Sequence, residues 1–191
     1  MPNIKEVKNR IGSVKSTQQL TKAMKMVAAA KLKRAQDKVT ELRPYSNKLN
    51  EILSNLSDSI SNVLFEQRDV KNKLFIVVAS DKGLCGSFNS NIFKLFNTVS
   101  ENNNDHLDSI NILPIGKKAY DFFKKKDYNV IDQFWNTLNG FSYADASNIF
   151  DYVQDEYLNN NIDQVHIIYN EFKNVAVQNS VVEQFLPVEN N

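Results

Sequence analysis

The chain is 191 residues long, 42% hydrophobic and 24% charged, with 23 basic against 22 acidic side chains and a formal net charge of +1. Those proportions are those of a soluble, cytoplasmic protein with one ordinary domain plus an appendage, and a single cysteine, Cys85, excludes an intramolecular disulfide and any cysteine-rich metal site. No stretch reaches the roughly 18 uncharged apolar residues that cross a bilayer, and the amino terminus has basic residues but no apolar block of the signal-peptide kind.

The first predicted element is a long helix. Asn3 can cap it, with Glu6 three residues on, and a 3-4 apolar spacing then runs through Ile4, Val7, Ile11 and Val14. The same phase resumes at Ala28 and Leu32 and continues through Val39, Leu42, Leu49, Leu53 and Ile60 to Val63. At about 1.5 Å per residue this predicts a rod of roughly 90 Å, much longer than a globular helix. Gln18, Thr21 and Lys25 occupy seam positions, so the stretch from Ser16 to Lys25 is locally polar. Pro44 removes one backbone hydrogen bond and predicts a bend, not a stop, because the heptad phase is the same on both sides.

Charge divides the chain in the same way. Twelve Lys or Arg between Met1 and Lys48 stand against Glu6, Asp37 and Glu41, about +9, which leaves about −8 on the remainder. Lys8, Lys15 and Lys22 flank one edge of the seam, and Arg10, Lys31 and Lys38 flank the other. Two copies of this helix would set like charges against each other, so the seam is expected to pair with a different helix.

Residues 66–191 read as an α/β domain following a helical region of residues 1–65. After a polar link from Glu66 to Asn72, the apolar run Leu74 to Ala79 predicts a strand buried on both faces. A helix over Asn89 to Val99, a strand over Ile110 to Ile115, a helix over Lys117 to Lys126 and a short strand over Asn129 to Ile131 follow. A longer helix spans Phe141 to Leu158, a strand Val165 to Tyr169, and Ala176 to Val188 reads as strand pairs on one edge. The alternation implies a Rossmann-like, mostly parallel sheet with helices on its faces.

Chemistry is sparse. Ser80-Asp81-Lys82-Gly83-Leu84-Cys85-Gly86-Ser87-Phe88-Asn89 is a glycine-containing turn where open α/β sheets bind phosphates, but it matches neither G-x-G-x-x-G nor the phosphate-loop pattern. A turn needing glycine for its backbone is the better reading, and Cys85 within it is expected to be a small buried thiol. His106 and His166 have no metal-ligand spacing, Lys124 to Lys126 end a helix whose dipole they complement, and Trp135 with Phe134 reads as core or domain edge. The basic rod could hold nucleic acid through counterion release, as a basic arm or a coiled-coil adaptor on the α/β domain. It has almost no aromatic residues before Tyr45 on which bases could stack, so nucleic acid is not the expected partner.

Three segments carry a family likeness. Asn3-Ile4-Lys5-Glu6-Val7-Lys8-Asn9-Arg10-Ile11 with Ser16-Thr17-Gln18-Gln19-Leu20-Thr21-Lys22-Ala23-Met24-Lys25-Met26-Val27-Ala28 resembles the γ subunit of bacterial-type, F-type rotary ATP synthase. Ser80-Asp81-Lys82-Gly83-Leu84-Cys85-Gly86, followed by Phe88-Asn89, is similar to that family's second hallmark turn, and Arg43-Pro44-Tyr45 is a third point of likeness. The likeness covers essentially the whole chain.

The resemblance implies a non-catalytic rotor shaft with no cofactor and no metal of its own, peripheral to the cytoplasmic side of the bacterial inner membrane. The implied partners are the α and β subunits of the catalytic hexamer, the ε subunit and the c-ring, whose proton-driven turning would force the β sites through ATP synthesis. Gln18, Lys22, Met24 and Lys25 would lie in the torque region, facing acidic levers of the β subunits, a pairing of opposite potentials. In the family the first helix pairs antiparallel with a carboxy-terminal shaft helix beyond the point matching Pro187. This chain stops at Asn191, so a truncated or split form, or a second chain supplying that helix, is expected. Plastid members carry an added cysteine pair for redox control, which Cys85 alone cannot form.

Overall fold

The computed structural model describes residues 3–57, 62–101 and 109–188. The chain divides into two compact units, residues 1–58 and residues 59–191. No helix among the described residues is long and apolar enough to cross a membrane.

Helix α1, Ile4–Ser57, makes up the first unit and is 54 residues long, roughly 80 Å at about 1.5 Å per residue. Its start is capped by Asn3, whose side-chain oxygen accepts from the Lys5 N–H at 3.2 Å while its carbonyl accepts from Glu6 and Val7 at 2.8 and 3.1 Å. Pro44 lies inside the helix, which runs on through it. The seam residues Ile4, Val7, Ile11, Val14, Leu32 and Val39 are all exposed, so nothing within the unit covers them. An uncovered stripe of this length is the mark of an element built for a partner.

The predicted seam overruns the helix. Ile60 lies outside the described residues, and Val63 opens a separate 3-10 turn, Val63–Phe65, in the second unit. Asn62 starts that turn from extended backbone, and its side chain accepts from the Leu64 N–H at 3.0 Å.

The second unit is a five-stranded sheet in the order β3-β2-β1-β4-β5. Its strands are β1 (Asn72–Val78), β2 (Ser109–Ile115), β3 (Asn129–Val130), β4 (Gln164–Phe172) and β5 (Gln178–Leu186). The helices are α2 (Phe88–Glu101), α3 (Lys117–Phe123) and α4 (Tyr143–Leu158). All pairings are parallel except β4 with β5.

Strand β1 is buried along its middle, as its unbroken apolar run requires. Alternate residues feed two cores: Phe75 and Val77 pack with Ile92, Phe96 and Phe123 under α2 and α3, and Leu74 and Ile76 pack with Ile149, Val153 and Tyr157 under α4. Phe96 is wedged among Phe75, Phe123 and Tyr128, with ring centroids 4.8–5.5 Å away. Gly116 joins β2 to α3 at φ 97°, where a Cβ would lie 2.0 Å from the Ala79 carbonyl oxygen; only glycine permits that approach.

The carboxy-terminal segment differs from the strand pairs expected over Ala176 to Val188. It is one strand that folds back on β4, because the turn precedes it: the Asn174 side chain accepts from the Ala176 and Val177 N–H groups, both at 2.9 Å. Helix α3 also stops at Phe123, short of the expected Lys126.

Candidate functional site

Two surfaces hold the residues singled out by sequence, and they lie on different units. On α1, Gln18, Lys22 and Lys25 fall on one face and, with Ser13, Val14, Thr17 and Thr21, border a shallow open groove along the seam. Thr17 and Thr21 turn their hydroxyls back onto the Ser13 and Thr17 carbonyls, at 3.0 and 2.8 Å. That leaves Gln18, Lys22 and Lys25 to reach outward from this part of the seam.

Met24 is not on this face. At about 100° per residue it stands roughly 120° around the helix from Gln18, in line with Leu20 and Val27. Leu20 and Met24 are each 64% exposed and Val27 is 58% exposed, so this segment shows apolar side chains on a second face. Reading the chain only in the heptad register misses Leu20 and Val27. Their i, i+4, i+7 spacing is the signal that would have found them.

The second surface is the turn between β1 and α2. Ser80 and Asn89 lock its two ends: the Ser80 N–H donates to the Asn89 side-chain oxygen at 3.0 Å, and the Asn89 amide donates to Ser80 Oγ at 2.9 Å. The same amide reaches Cys85 Sγ at 3.3 Å. Asp81 accepts from the Lys117 N–H at 3.0 Å, and the Ser80 carbonyl accepts from the Lys118 N–H at 3.0 Å, tying the turn to the start of α3. Gly86 takes φ 60°, as a turn glycine should, and so does Leu84, whose side chain is fully exposed at the tip. Gly83 and Lys82 complete the tip beside Lys118.

Cys85 corrects the expectation of a buried thiol, because it is exposed. Its thiol lies within 3.9 Å of Ser80 Oγ and the Lys82 carbonyl and accepts from the Asn89 amide at 3.3 Å. Polar groups facing the mouth of the strand, Ser80 and Asn89, are spent on each other, which gives a bound phosphate little to replace.

The remaining candidates are structural. No group of three or more His, Cys, Asp or Glu able to hold a metal occurs among the described residues. His166 stacks on Phe75 with centroids 5.4 Å apart, and burial with nearby Lys73 pushes it down to about 4. Trp135 stacks on Tyr120 and Phe134 packs against Tyr152, both in the α/β unit. Lys124 caps α3 through its backbone N–H, which donates to the Tyr120 carbonyl at 3.0 Å, and its side-chain amine donates to Tyr120 OH at 3.0 Å. His106 lies outside the described residues.

The family profile described as ATP synthase matches residues 3–191. The chain is also 45% identical to the ATP synthase gamma chain of Cytophaga hutchinsonii, over 99% of this chain and 66% of that one. Gamma chains of Chloroherpeton thalassium and Amoebophilus asiaticus are 45% identical as well, over 98% of this chain and 64% and 67% of theirs. The chain belongs to the ATP synthase gamma-chain family.

It spans about two thirds of the length of these gamma chains. Among solved structures, the central stalk and c-ring of the Tetrahymena thermophila mitochondrial ATP synthase contain a chain 27% identical to this one. That match covers 88% of this chain and 72% of the other, with a TM-score of 0.58. A chain of the Euglena gracilis mitochondrial ATP synthase rotor, 20% identical, has the same fold at a TM-score of 0.62, over 95% of this chain and 62% of that one. The gamma-chain fold therefore extends over both the long helix and the α/β unit.

Proposed function

We propose that this chain is the central rotor-stalk subunit of a proton-translocating ATP synthase. It couples turning of the c-ring to conformational change at the catalytic sites of the β subunits, and has no catalytic site itself. The observation that carries the reading is a 54-residue basic helix with an exposed apolar seam in a chain of the gamma-chain family. A shaft needs length, stiffness and asymmetry, and a long helix with chemically distinct faces has all three. Partners of the assembled stalk are the α and β subunits around the helix, the ε subunit and the c-ring, at the cytoplasmic side of the bacterial inner membrane. A second helix of different charge completes the seam.

Torque passes through the stretch from Gln18 to Val27. Lys22 and Lys25 meet acidic levers of the β subunits, where opposite potentials set register without the large dry contact that would resist turning. Met24, with Leu20 and Val27, presents the apolar face to a surface other than the seam partner. The test is ATP-driven rotation and proton pumping of the complex reconstituted with alanine at Lys22, Met24 and Lys25. Hydrolysis is expected to continue while pumping per ATP falls severalfold; unchanged coupling would refute this assignment.

A further inference from the structure

Parallel sheets are covered on both faces, and helices are what cover them. Helices α2 and α3 serve one face of this sheet, whereas α4 is the one helix on the other among the described residues. It packs on Leu74, Ile76 and Leu113 of β1 and β2, and the cover thins toward β4 and β5, where Ile167, Tyr169 and Val181 are half-buried and Phe185 is exposed. A cavity of about 160 Å³ opens there, beside α4. Buried Ile149 and Val153 and half-buried Ile167 line it, together with Phe141, Phe150 and Phe185, which are 46, 38 and 37% exposed. Phe150 and Phe185 meet edge to face with centroids 6.1 Å apart. An engineered apolar cavity of about 150 Å³ takes up benzene, so this one has room for one ring or branched side chain.

The charge around this opening has one sign. Helix α4 and strands β4 and β5 together carry Asp145, Asp151, Asp155, Glu156, Glu171 and Glu183, and no lysine or arginine. Strand alternation and the pairing of Ile167 with Glu183 put Glu171 and Glu183 on the face of Ile167, and exposed Asp151 follows Phe150 on α4. Tyr169 OH donates to Glu183 Oε1 at 2.9 Å, which holds that carboxylate over the face. A second copy laid face to face on this surface would bring the same carboxylates against these. What fits is an apolar centre with cations around it.

We infer that the open half of this sheet face is the docking surface of a basic amphipathic helix belonging to another protein. Laid beside α4, such a helix completes the layer that α4 begins. Its apolar stripe places one ring or branched side chain in the cavity, and Lys or Arg on its flanks face Asp151, Glu171 and Glu183. The phenylalanines at the centre supply affinity, and the carboxylates select the sign of charge. The inference goes beyond the stalk reading and concerns the α/β unit alone.

The test titrates the full chain, carrying NMR-labelled isoleucine methyls, with a synthetic helical peptide of about five turns that has Leu along one stripe and Lys elsewhere. The same peptide with Glu in place of Lys is the control. The Leu/Lys peptide is expected to shift the Ile149 and Ile167 methyls saturably, and the Leu/Glu peptide to bind there at least about tenfold more weakly. Phe185→Ser should weaken the Leu/Lys peptide at least about tenfold, as loss of a central aromatic anchor does, with unmoved Ile92 and Ile112 methyls reporting an intact fold. Asp151→Lys alters an exposed position of α4 and should weaken it several-fold at low salt and less at high salt, so it stays informative should Phe185→Ser not fold. Methyls of Ile149 and Ile167 that ignore the Leu/Lys peptide, or follow both peptides equally, would overturn the inference. So would unchanged affinity in Asp151→Lys, which makes the occupant an apolar ligand of any charge. Shifts at these two methyls that grow with the concentration of the chain alone would also overturn it, in favour of a second copy. The stalk reading stands in each case, since neither peptide reports on rotation.

Discussion

His166 shows what a half-buried position does to one side chain. Its ring lies against Phe75 on the face of the sheet under α2, Nδ1 has no hydrogen-bond partner among the described residues, and burial with Lys73 lowers its pKa from 6.5 to about 4. The folded state therefore keeps the ring neutral while the unfolded chain takes up a proton below about 6.5. His166 contributes its full stability above that pH, and the contribution is lost as pH falls toward 4. Part of the ring meets water, so the loss is on the order of 1 kcal/mol. Denaturant unfolding at a series of pH values should show this slope in the native chain and a shallower one in His166→Leu. An NMR titration midpoint for His166 near 6.5 would contradict the account.

Among the elements, α4 has the most complete local start. Ser142 accepts from the Asp145 N–H at 3.4 Å, and Asp145 accepts from the Ser142 N–H at 2.8 Å, a reciprocal capping box; the Ser142 hydroxyl, donating at 2.7 Å, and then that backbone N–H hold the Asp145 carboxyl below its usual range. Ser142→Ala should cost about 1 kcal/mol of stability by denaturant unfolding, with Ser142→Asp recovering most of it. No loss on alanine substitution would mean that packing of Ile149 and Val153 alone fixes this helix.

The same element marks how far the sequence could be read. Strand β1 and helices α1, α2 and α4 announce themselves in apolar spacing, because each buries or exposes a continuous stripe. One contact at its other end was not legible: Arg68 sits in a polar link, and its Nη1 donates to the Tyr157 carbonyl at 3.0 Å only once the fold has brought them together. Cys85 misled for a related reason. Burial preference is a property of residue type, whereas exposure here goes with a place in the turn between β1 and α2. On α1, the heptad register exposed the seam and the polar interruption, but it concealed that Met24 stands apart from Gln18, Lys22 and Lys25.

The molecule as a whole separates its charge, about +9 from Met1 through Lys48 and about −8 after it, and the positive part carries the uncovered apolar seam. These two features oppose each other when the chain is without partners. The seam favours pairing with a second copy, while Lys8, Lys15, Lys22, Arg10, Lys31 and Lys38 along its edges repel that copy. Salt should therefore decide the outcome. Raising ionic strength from about 0.01 M to about 1 M shortens the screening length from about 30 Å to about 3 Å, which removes the repulsion and leaves the apolar attraction intact. Sedimentation of the isolated chain should show more self-association as salt rises, with substitution of the edge lysines by glutamine having the same effect at low salt. Association that weakens with salt would mean that the basic rod instead pairs with the acidic α/β unit of another copy, and the edge charges would then be attractive guides to a partner, not a barrier to self-pairing.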